Sequence, residues 1–261
     1  MTDIFSGINS SYNALVVEAN HHLSKHIQFA ASYTWSHAID FGQNQTTFSG
    51  TNFLLFPNNI TAEKGNSIYD IPNRFVAHAV MSSPWKKTGA AGWFVNDWGL
   101  SPIFQIQSGL PYTLSVSGNA PGGAISGING SGGTNRIALF GNSSFRMATQ
   151  WTSDIRISKS FTFQERYKLE LSTDFFNIAN KQNVMSVNQT GYIISSTGTV
   201  ATPSGNVTCS TASPCLNFNT AGPTPTVGPA FAPVFGSVTA TNNSNFLWSP
   251  RQIQLGARIT F

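Results

Sequence analysis

Charged side chains are scarce in this chain: 261 residues contain 14 Lys and Arg and 10 Asp and Glu, 9% of the total. Soluble domains carry roughly 25% charged residues, because a surface that faces water is normally dense in mixed charge. Disorder does not explain the shortage, since 40% of the residues are hydrophobic and 20 of them are Phe. The composition predicts a folded protein whose outer surface does not face water throughout.

Long apolar runs and clustered basic residues are missing as well. Even the longest apolar runs, such as residues 53–56, are short. A membrane-spanning helix needs about 20 apolar residues in succession. The net charge is +4, but the positive residues are scattered and Lys86-Lys87 is the only adjacent pair. A nucleic-acid-binding surface needs a clustered basic stripe. The sequence therefore argues against a helical membrane protein and against a nucleic-acid partner.

Cysteine occurs only twice, at Cys209 and Cys215, in a segment rich in Ser, Thr and Pro. Two cysteines cannot build a zinc site, so their spacing favours a candidate loop disulfide made in an oxidising compartment. His21, His22 and His26 lie close together, but no neighbouring carboxylate or cysteine completes a ligand set. We predict a solvated turn there, no bound metal and no cofactor.

Helical periodicity is nearly absent, and period-two alternation recurs instead. At the end of the chain Ile253, Leu255, Ala257, Ile259 and Phe261 share one strand face, and Gln252, Gln254, Gly256, Arg258 and Thr260 share the other. Similar patterns predict seven strands at about 11–20, 26–37, 73–83, 96–108, 150–161, 166–177 and 249–261. The predicted fold class is all-β, an antiparallel transmembrane β-barrel present here as a partial barrel, an open curved sheet of about seven strands.

The connections between these strands alternate in length. Short turns are predicted near 20–26, 84–95 and 162–166, and long Gly, Ser, Thr and Asn-rich segments at 38–72, 109–149 and 178–248. Short periplasmic turns and long outer loops are typical of outer-membrane barrels. The Gly-rich stretch 118–135 has no phosphate-loop motif and predicts a flexible loop tip.

Aromatic residues fall near both ends of the predicted strands, as expected for girdles at two membrane interfaces. The outer set is Tyr33, Trp35, Trp151, Phe175 and Trp248, and the inner set is Trp85, Trp98, Tyr167 and Phe261. Lys159 falls on an otherwise apolar strand face close to an inner turn. Its ammonium is expected to extend towards the lipid headgroups.

Polar strand faces supply the candidate lumen residues. These are Asp154, Arg156, Lys168, Glu170, Asp174, Gln252, Gln254 and Arg258. The turn at 162–166 predicts that Arg156 lies opposite Ser172, diagonal to both Glu170 and Asp174. Paired carboxylates can perform acid–base catalysis, but the nearby cations favour a structural charge network. No nucleophile elbow surrounds a hypothetical triad of Ser36, His37 and Asp40, and no enzymatic activity is predicted.

Several stretches together resemble a known family. The last strand, Arg251-Gln-Ile-Gln-Leu-Gly-Ala-Arg-Ile-Thr-Phe261, resembles the C-terminal strand of outer-membrane barrels, in which the terminal aromatic is the assembly signal. Further stretches resemble the Oar-like TonB-dependent receptors: Tyr12-Asn-Ala-Leu-Val-Val, Ala31-Ser-Tyr-Thr-Trp-Ser-His37, Tyr69-Asp-Ile-Pro-Asn-Arg-Phe75, Gln107-Ser-Gly-Leu-Pro-Tyr-Thr113 and Asp174-Phe-Phe-Asn-Ile-Ala-Asn180. The resemblance runs in order along nearly the whole chain and is weakest in the long loops.

The resemblance implies a barrel of about 22 strands around a plug. Residues 1–261 would then be the C-terminal segment of such a receptor, without the plug, the earlier strands or a recognisable energy-coupling box. The implied function is uptake or export of an unknown ligand across a bacterial outer membrane. The implied partners are membrane lipid, the barrel assembly machinery and the missing plug and strands.

Two expectations remain open at this stage. Because the first residues lack a secretory signal, the chain is either cytosolic or its natural N terminus lies further upstream. The alternative function is that of a soluble or secreted β-sandwich module for carbohydrate binding or adhesion, in which the apolar strand faces would pack against one another.

Overall fold

A computed structural model describes residues 9–41, 59–117, 140–163, 167–202, 205–218, 235–241 and 250–261. Seven long strands occupy most of these ranges. They are β1 (Ser11–Ser24), β2 (Ile27–Asp40), β3 (Asn73–Ser82), β4 (Trp98–Gln107), β5 (Gln150–Phe163), β6 (Tyr167–Phe176) and β7 (Gln252–Thr260). In the described part of the chain, no helix is long and apolar enough to cross a membrane.

The seven strands form one antiparallel sheet in which each strand pairs with its neighbours in sequence, from β1 at one edge to β7 at the other. The all-β prediction, with an open sheet of about seven strands, is confirmed. The predicted ends differ by a few residues: β1 continues to Ser24 and β5 to Phe163. His21 and His22 therefore lie within β1 and not in the predicted turn, because the pairing with β2 continues through both of them.

The pairing register places mainly apolar residues on the same side of the sheet in all seven strands. Directly paired residues share a face, and one such row joins Trp98, Lys159, Leu171 and Ala257 across β4 to β7. A second row on the same side consists of Val17, Tyr33, Phe75, Ile106 and Trp151, one residue from each of β1 to β5. We call this side the apolar face and the opposite side the polar face.

Large apolar side chains on the apolar face remain exposed. Trp35 is 55% exposed, Leu171 43% and Leu255 78%. Among the described residues, the buried hydrophobic side chains are instead Leu114, Val116, Val187 and Cys209, all in the long connections. A soluble sheet of this size would bury its apolar face to gain about 25 cal/mol per Å², so the apolar face is suited to an apolar surrounding.

The long connections meet at one end of the sheet, called the outer end, where β2, β4 and β6 finish. Short strands pair within these connections, and one short sheet joins the second connection to the third. Ser115–Ser117, Thr190–Ser195 and Cys215–Phe218 form a three-stranded sheet, Pro111–Tyr112 pairs with Phe145–Arg146, Val184–Val187 with Val238–Thr241, and Thr199–Thr202 with Gly205–Thr208. Gly65–Asn66 adds to the end of β2, after the 3-10 helix Ile60–Glu63. The stretch 118–135 and Trp248 lie outside the described residues.

Short connections occupy the opposite, inner end. The predicted turn near 84–95 differs from expectation because it contains one short helix, α1 (Ala90–Val95). Its Trp93 ring lies 5.9 Å from Phe161 and 5.3 Å from Phe163. Because Phe161 and Phe163 share the apolar face with Lys159, α1 packs against that face. The helix is too short to show a 3.6-residue pattern, so the sequence does not reveal it.

Adjacent substitutions in β7 test the two faces. Leu255→Arg puts a cation in the middle of the apolar face, and we expect it to destabilise a membrane-inserted barrel by about 2–4 kcal/mol. Gln254→Arg, one residue away on the polar face, should change stability little. The measurement is urea unfolding of the native gene product in lipid vesicles, followed by its heat-dependent gel shift. Equal losses in both variants would contradict this assignment of faces.

Candidate functional site

The polar face brings the predicted lumen residues together. All eight belong to that side by register: Asp154, Arg156, Lys168, Glu170, Asp174, Gln252, Gln254 and Arg258. They lie on three neighbouring strands, β5, β6 and β7. Cations and carboxylates alternate within the group, so the polar face presents a mixed charge pattern on the side opposite the apolar face.

Arg156 and Asp174 form the central ion pair of the polar face. Arg156 Nε donates to Asp174 Oδ1 at 2.5 Å, and Nη2 donates to Oδ2 at 2.8 Å. The prediction that Arg156 lies opposite Ser172 is wrong: it lies directly opposite Asp174, and Ser172 faces Ser158. The pairing extends to Phe163 and Tyr167, so the turn is centred later than predicted and the register shifts by two residues.

Small residues separate the charged rows of the polar face. Gly99, Ser158, Ser172 and Gly256 form one row across β4 to β7. A Cβ on Gly99 would meet Ser158 Oγ at 2.5 Å, and one on Gly256 would meet Ser172 Oγ at 2.8 Å. The hydroxyls therefore occupy the space over the glycines, and the next row beyond them pairs Glu170 with Arg258. Sequence reasoning missed this row because it depends on the register of four strands.

The connection after β6 turns back onto the polar face near the outer end. Asp154 Oδ1 accepts a hydrogen bond from Asn177 N at 2.7 Å. Asn183 bonds both backbone groups of Trp151, accepting from its N–H at 2.9 Å and donating to its carbonyl at 2.9 Å. Asp154 thus has a structural role at the strand end, which reduces its availability as a lumen ligand.

Two buried glutamines also join the ends of β4 and β5 to the connection that follows β6. Gln107 Nε2 donates to Gln150 Oε1 at 3.1 Å, and Gln150 Nε2 donates to the Val184 carbonyl at 2.7 Å. Gln150 is fully buried although it is polar. Buried amides are tolerated when they are hydrogen-bonded, so these residues hold the outer connections on the ends of β4 and β5.

Asp70 is a buried carboxylate with several partners at the outer end. It is 1% exposed, and its Oδ2 accepts from Arg146 Nη2 at 2.6 Å. Its Oδ1 accepts from Ala38 N at 2.7 Å and lies 3.2 Å from His37 Nδ1. Arg146 Nη1 also donates to the Asp70 carbonyl and to the Gly109 carbonyl. One carboxylate therefore joins β2 to the first and second long connections.

Glu63 makes a second polar contact between the same two connections. It is 2% exposed, and Asn142 Nδ2 donates to its carbonyl at 2.6 Å and lies 3.4 Å from Oε2. A Cβ on Gly65 would meet the Asn142 carbonyl at 2.7 Å. Sequence reasoning missed both acidic residues, although Asp70 lies within the Tyr69-Asp-Ile-Pro-Asn-Arg-Phe75 stretch that carries the resemblance.

The hypothetical triad and the histidine cluster have other partners. Ser36 Oγ donates to the Ile71 carbonyl at 2.7 Å, and His37 contacts Asp70. Ser36 and His37 are adjacent in β2, so their side chains point to opposite faces. His26 Nδ1 lies 3.2 Å from Ser82 Oγ. In the ranges that the structure covers, no group of three or more His, Cys, Asp or Glu could hold a metal ion.

Two further predicted residues lie at the margins of the fold. Cys209 and Cys215 form a disulfide with a Cα–Cα distance of 5.2 Å, at one end of the three-stranded outer sheet. Phe261 follows β7 and is 90% exposed. The disulfide closes a small loop in the third long connection, and Phe261 lies at the inner end of an edge strand.

Tyr112 belongs to an aromatic cluster in the outer connections. Its ring centroid lies 5.7 Å from that of Phe145 and 5.8 Å from that of Phe235. Burial raises the pKa of the Tyr112 hydroxyl above its ordinary value of 10.0. The cluster joins the second and third long connections through ring contacts.

The comparison with protein families agrees with this geometry. A model of the outer membrane beta barrel domain matches residues 1–254. The chain belongs to this family. No curated protein and no solved structure matches the chain. Family membership suggests an outer-membrane location and explains why an exposed apolar face and a charged polar face occur on the same strands.

Removing the charge of Asp70 tests the outer junction. In Asp70→Asn, Arg146 loses its ionic partner, and we expect the outer connections to lose about 1–3 kcal/mol of local stability. Limited proteolysis and hydrogen exchange of the folded gene product measure this loss at 59–72 and 140–146. The matched control is Asp97→Asn, an exposed carboxylate at the inner end. Equal protection of the two variants at the outer end would show that the contact between Asp70 and Arg146 does not stabilise the outer connections.

A charge exchange tests the ion pair of the polar face. Arg156→Asp and Asp174→Arg should each destabilise the barrel, because each places like charges in direct cross-strand contact. The double variant should recover about 0.2–1 kcal/mol of coupling, a modest value because the Arg156 side chain is 58% exposed. Urea unfolding of the four proteins measures the coupling, and additive losses would exclude a direct interaction.

Proposed function

We propose that the chain forms part of the wall of a larger barrel in a bacterial outer membrane, with the apolar face towards lipid and the polar face towards the lumen. The observation that supports this most strongly is that, in the seven paired strands as described, every Asp, Glu, Lys and Arg except Lys159 lies on the polar face. The outer connections are then extracellular loops, because long loops of outer-membrane barrels lie outside and short turns face the periplasm.

The edges of the sheet support a larger assembly. Within the described residues, β1 pairs only with β2, and β7 only with β6. Unpaired backbone groups are not tolerated in hydrocarbon, so we propose that additional strands pair with both edges and close the barrel. They come from another segment of the gene product or from a second chain. The exposed Phe261 at the end of β7 is the proposed signal to the barrel assembly machinery.

The finer proposal is that this barrel is a TonB-dependent receptor of the Oar-like type. It is supported by the motifs that resemble this family and by the interlinked outer loops, which are the proposed ligand contacts. The polar face, with Arg156, Asp174, Glu170 and Arg258, is the proposed wall against a plug or a transported ligand. We propose no enzymatic activity and no cofactor for this part of the molecule.

The β-sandwich alternative has less support. A sandwich requires a second layer over the apolar face. In the described ranges only α1 covers part of this face, and its large side chains are otherwise exposed or half-buried. The outer connections contact the polar face and the strand ends instead, through residues such as Asn183 and Gln150.

Cysteine labelling on intact cells tests the barrel-wall proposal. Thr61→Cys lies in the first outer connection and Thr162→Cys at the inner end of β5, and both residues are exposed. A membrane-impermeant maleimide should label the first variant in intact cells and the second only after permeabilisation. The native gene product should also fractionate with outer membranes and show a heat-dependent gel shift. Without such a folded, membrane-extracted species, the proposal fails.

A separate experiment tests the receptor proposal. The native gene product is cross-linked in living cells, and TonB is sought among its adducts. Adducts that depend on the complete gene product would support energised transport, whereas a folded barrel without TonB adducts would leave the wall proposal intact and exclude the TonB-dependent one.

A further inference from the structure

Lys159 is the only Lys, Arg, Asp or Glu on the apolar face of the seven strands in the described residues. It pairs with Trp98 in β4 and with Leu171 in β6, four residues before the inner end of β5. Its side chain is not extended freely towards headgroups, as the sequence suggested, because the residue is only 7% exposed. A cation buried at a lipid-facing position requires a specific explanation.

Among the described residues, the ammonium of Lys159 donates to one protein acceptor. Its Nζ donates to the carbonyl of Asn96 and lies 5.6 Å from the Trp98 ring centroid and 5.2 Å from that of Phe161. In the part of the chain that is described, no carboxylate forms an ion pair with it within 4.0 Å. An ammonium has three protons to donate, and a buried charge is costly without a counter-ion. With one proton donated to Asn96, the ammonium has further protons with which to bind an anionic group.

The segment 87–96, which includes α1, forms a roof over this lysine. Asn96 and Lys87 bond reciprocally, with Asn96 Oδ1 accepting from Lys87 N and Asn96 Nδ2 donating to the Lys87 carbonyl, both at 2.8 Å. Trp98 Nε1 donates to the Phe94 carbonyl at 2.7 Å. A Cβ on Gly92 would meet the Lys87 carbonyl at 2.2 Å, so the roof needs glycine there to close.

Two cavities, one lined mainly by polar groups and the other mainly by apolar groups, meet at Lys159 next to this roof. One has a volume of about 260 Å³, and its lining includes Lys87, Asn96, Asp97, Ser160 and Thr162. The other has a volume of about 330 Å³, and its lining includes Phe94, Trp98, Ile157 and Leu171. Trp93, Lys159 and Phe161 line both cavities. A polar and an apolar compartment joined at a cation match the two parts of a phospholipid.

We propose that this is a binding site for one glycerophospholipid of the inner, periplasmic leaflet, an inference that rests on the barrel-wall proposal. The phosphodiester accepts hydrogen bonds from Lys159, and an acyl chain occupies the apolar cavity between Phe94, Trp98 and Leu171. Lys87 lines the polar cavity as a second cation. Asp97 lines it too and favours a headgroup that carries an ammonium beside the phosphate.

Lipid retention tests the proposal. The native gene product is purified from outer membranes in mild detergent, and its phospholipid is quantified by mass spectrometry. We expect Lys159→Met to lower the retained phospholipid about ten-fold, the effect of losing one charge-assisted hydrogen bond. The matched control is Lys25→Met, which removes an exposed lysine at the same end of the sheet and should retain the wild-type amount. Trp93→Ala, which opens the roof, should also lower retention.

Rebinding to the delipidated wild-type protein provides a test that does not depend on any variant folding. Phosphatidylethanolamine should bind. Phosphatidylglycerol should bind more weakly, because it has no ammonium to pair with Asp97, and diacylglycerol, which lacks the phosphate, should not bind. Equal binding of diacylglycerol, or equal retention by folded Lys159→Met and Lys25→Met proteins, would overturn the lipid site. A wild-type protein that is absent from the outer membrane would instead overturn the barrel-wall proposal.

Discussion

The structure depends on one constraint, the register that keeps the charged side chains of the seven paired strands, except Lys159, on a single side. A shift of one residue in any strand would exchange its two faces. Leu255 and Gln254, or Ile157 and Arg156, would then change places between the apolar and polar sides. Within the described residues, most of the apolar face has no protein layer over it, so such an error would place charged side chains on the face proposed to meet lipid. The register is therefore as important to this fold as a packed core is to a soluble protein.

Buried packing is concentrated at the outer end, where the long connections have to hold a shape without support from lipid. Leu114 and Val116 supply apolar burial there, but polar contacts provide most of the links. Asp70 joins β2 to Arg146, and Asn183 satisfies both backbone groups of Trp151. Such directional contacts suit segments rich in Gly, Ser, Thr and Asn, which contain few large side chains to pack.

The candidate site could be predicted from the sequence in part. Alternation assigns Arg156, Glu170, Asp174 and Arg258 to one face, because this assignment needs only the local period of a strand. The partner of Arg156 could not be obtained in the same way. A turn centred slightly later moves the partner by two residues, from Ser172 to Asp174. Asp70 and Arg146 are 76 residues apart, and no local pattern relates them.

The sequence by itself determined the strand number, the strand order, the division between apolar and polar positions and the ends at which long and short connections lie. These properties follow from period-two alternation and from connection lengths, both of which are local. Only the tertiary structure decided the ion pair of Arg156 and Asp174, the junction at Asp70 and the burial of Lys159 beneath α1. Each depends on the side chains that distant segments bring within hydrogen-bond distance, and contacts made within one strand do not specify that proximity.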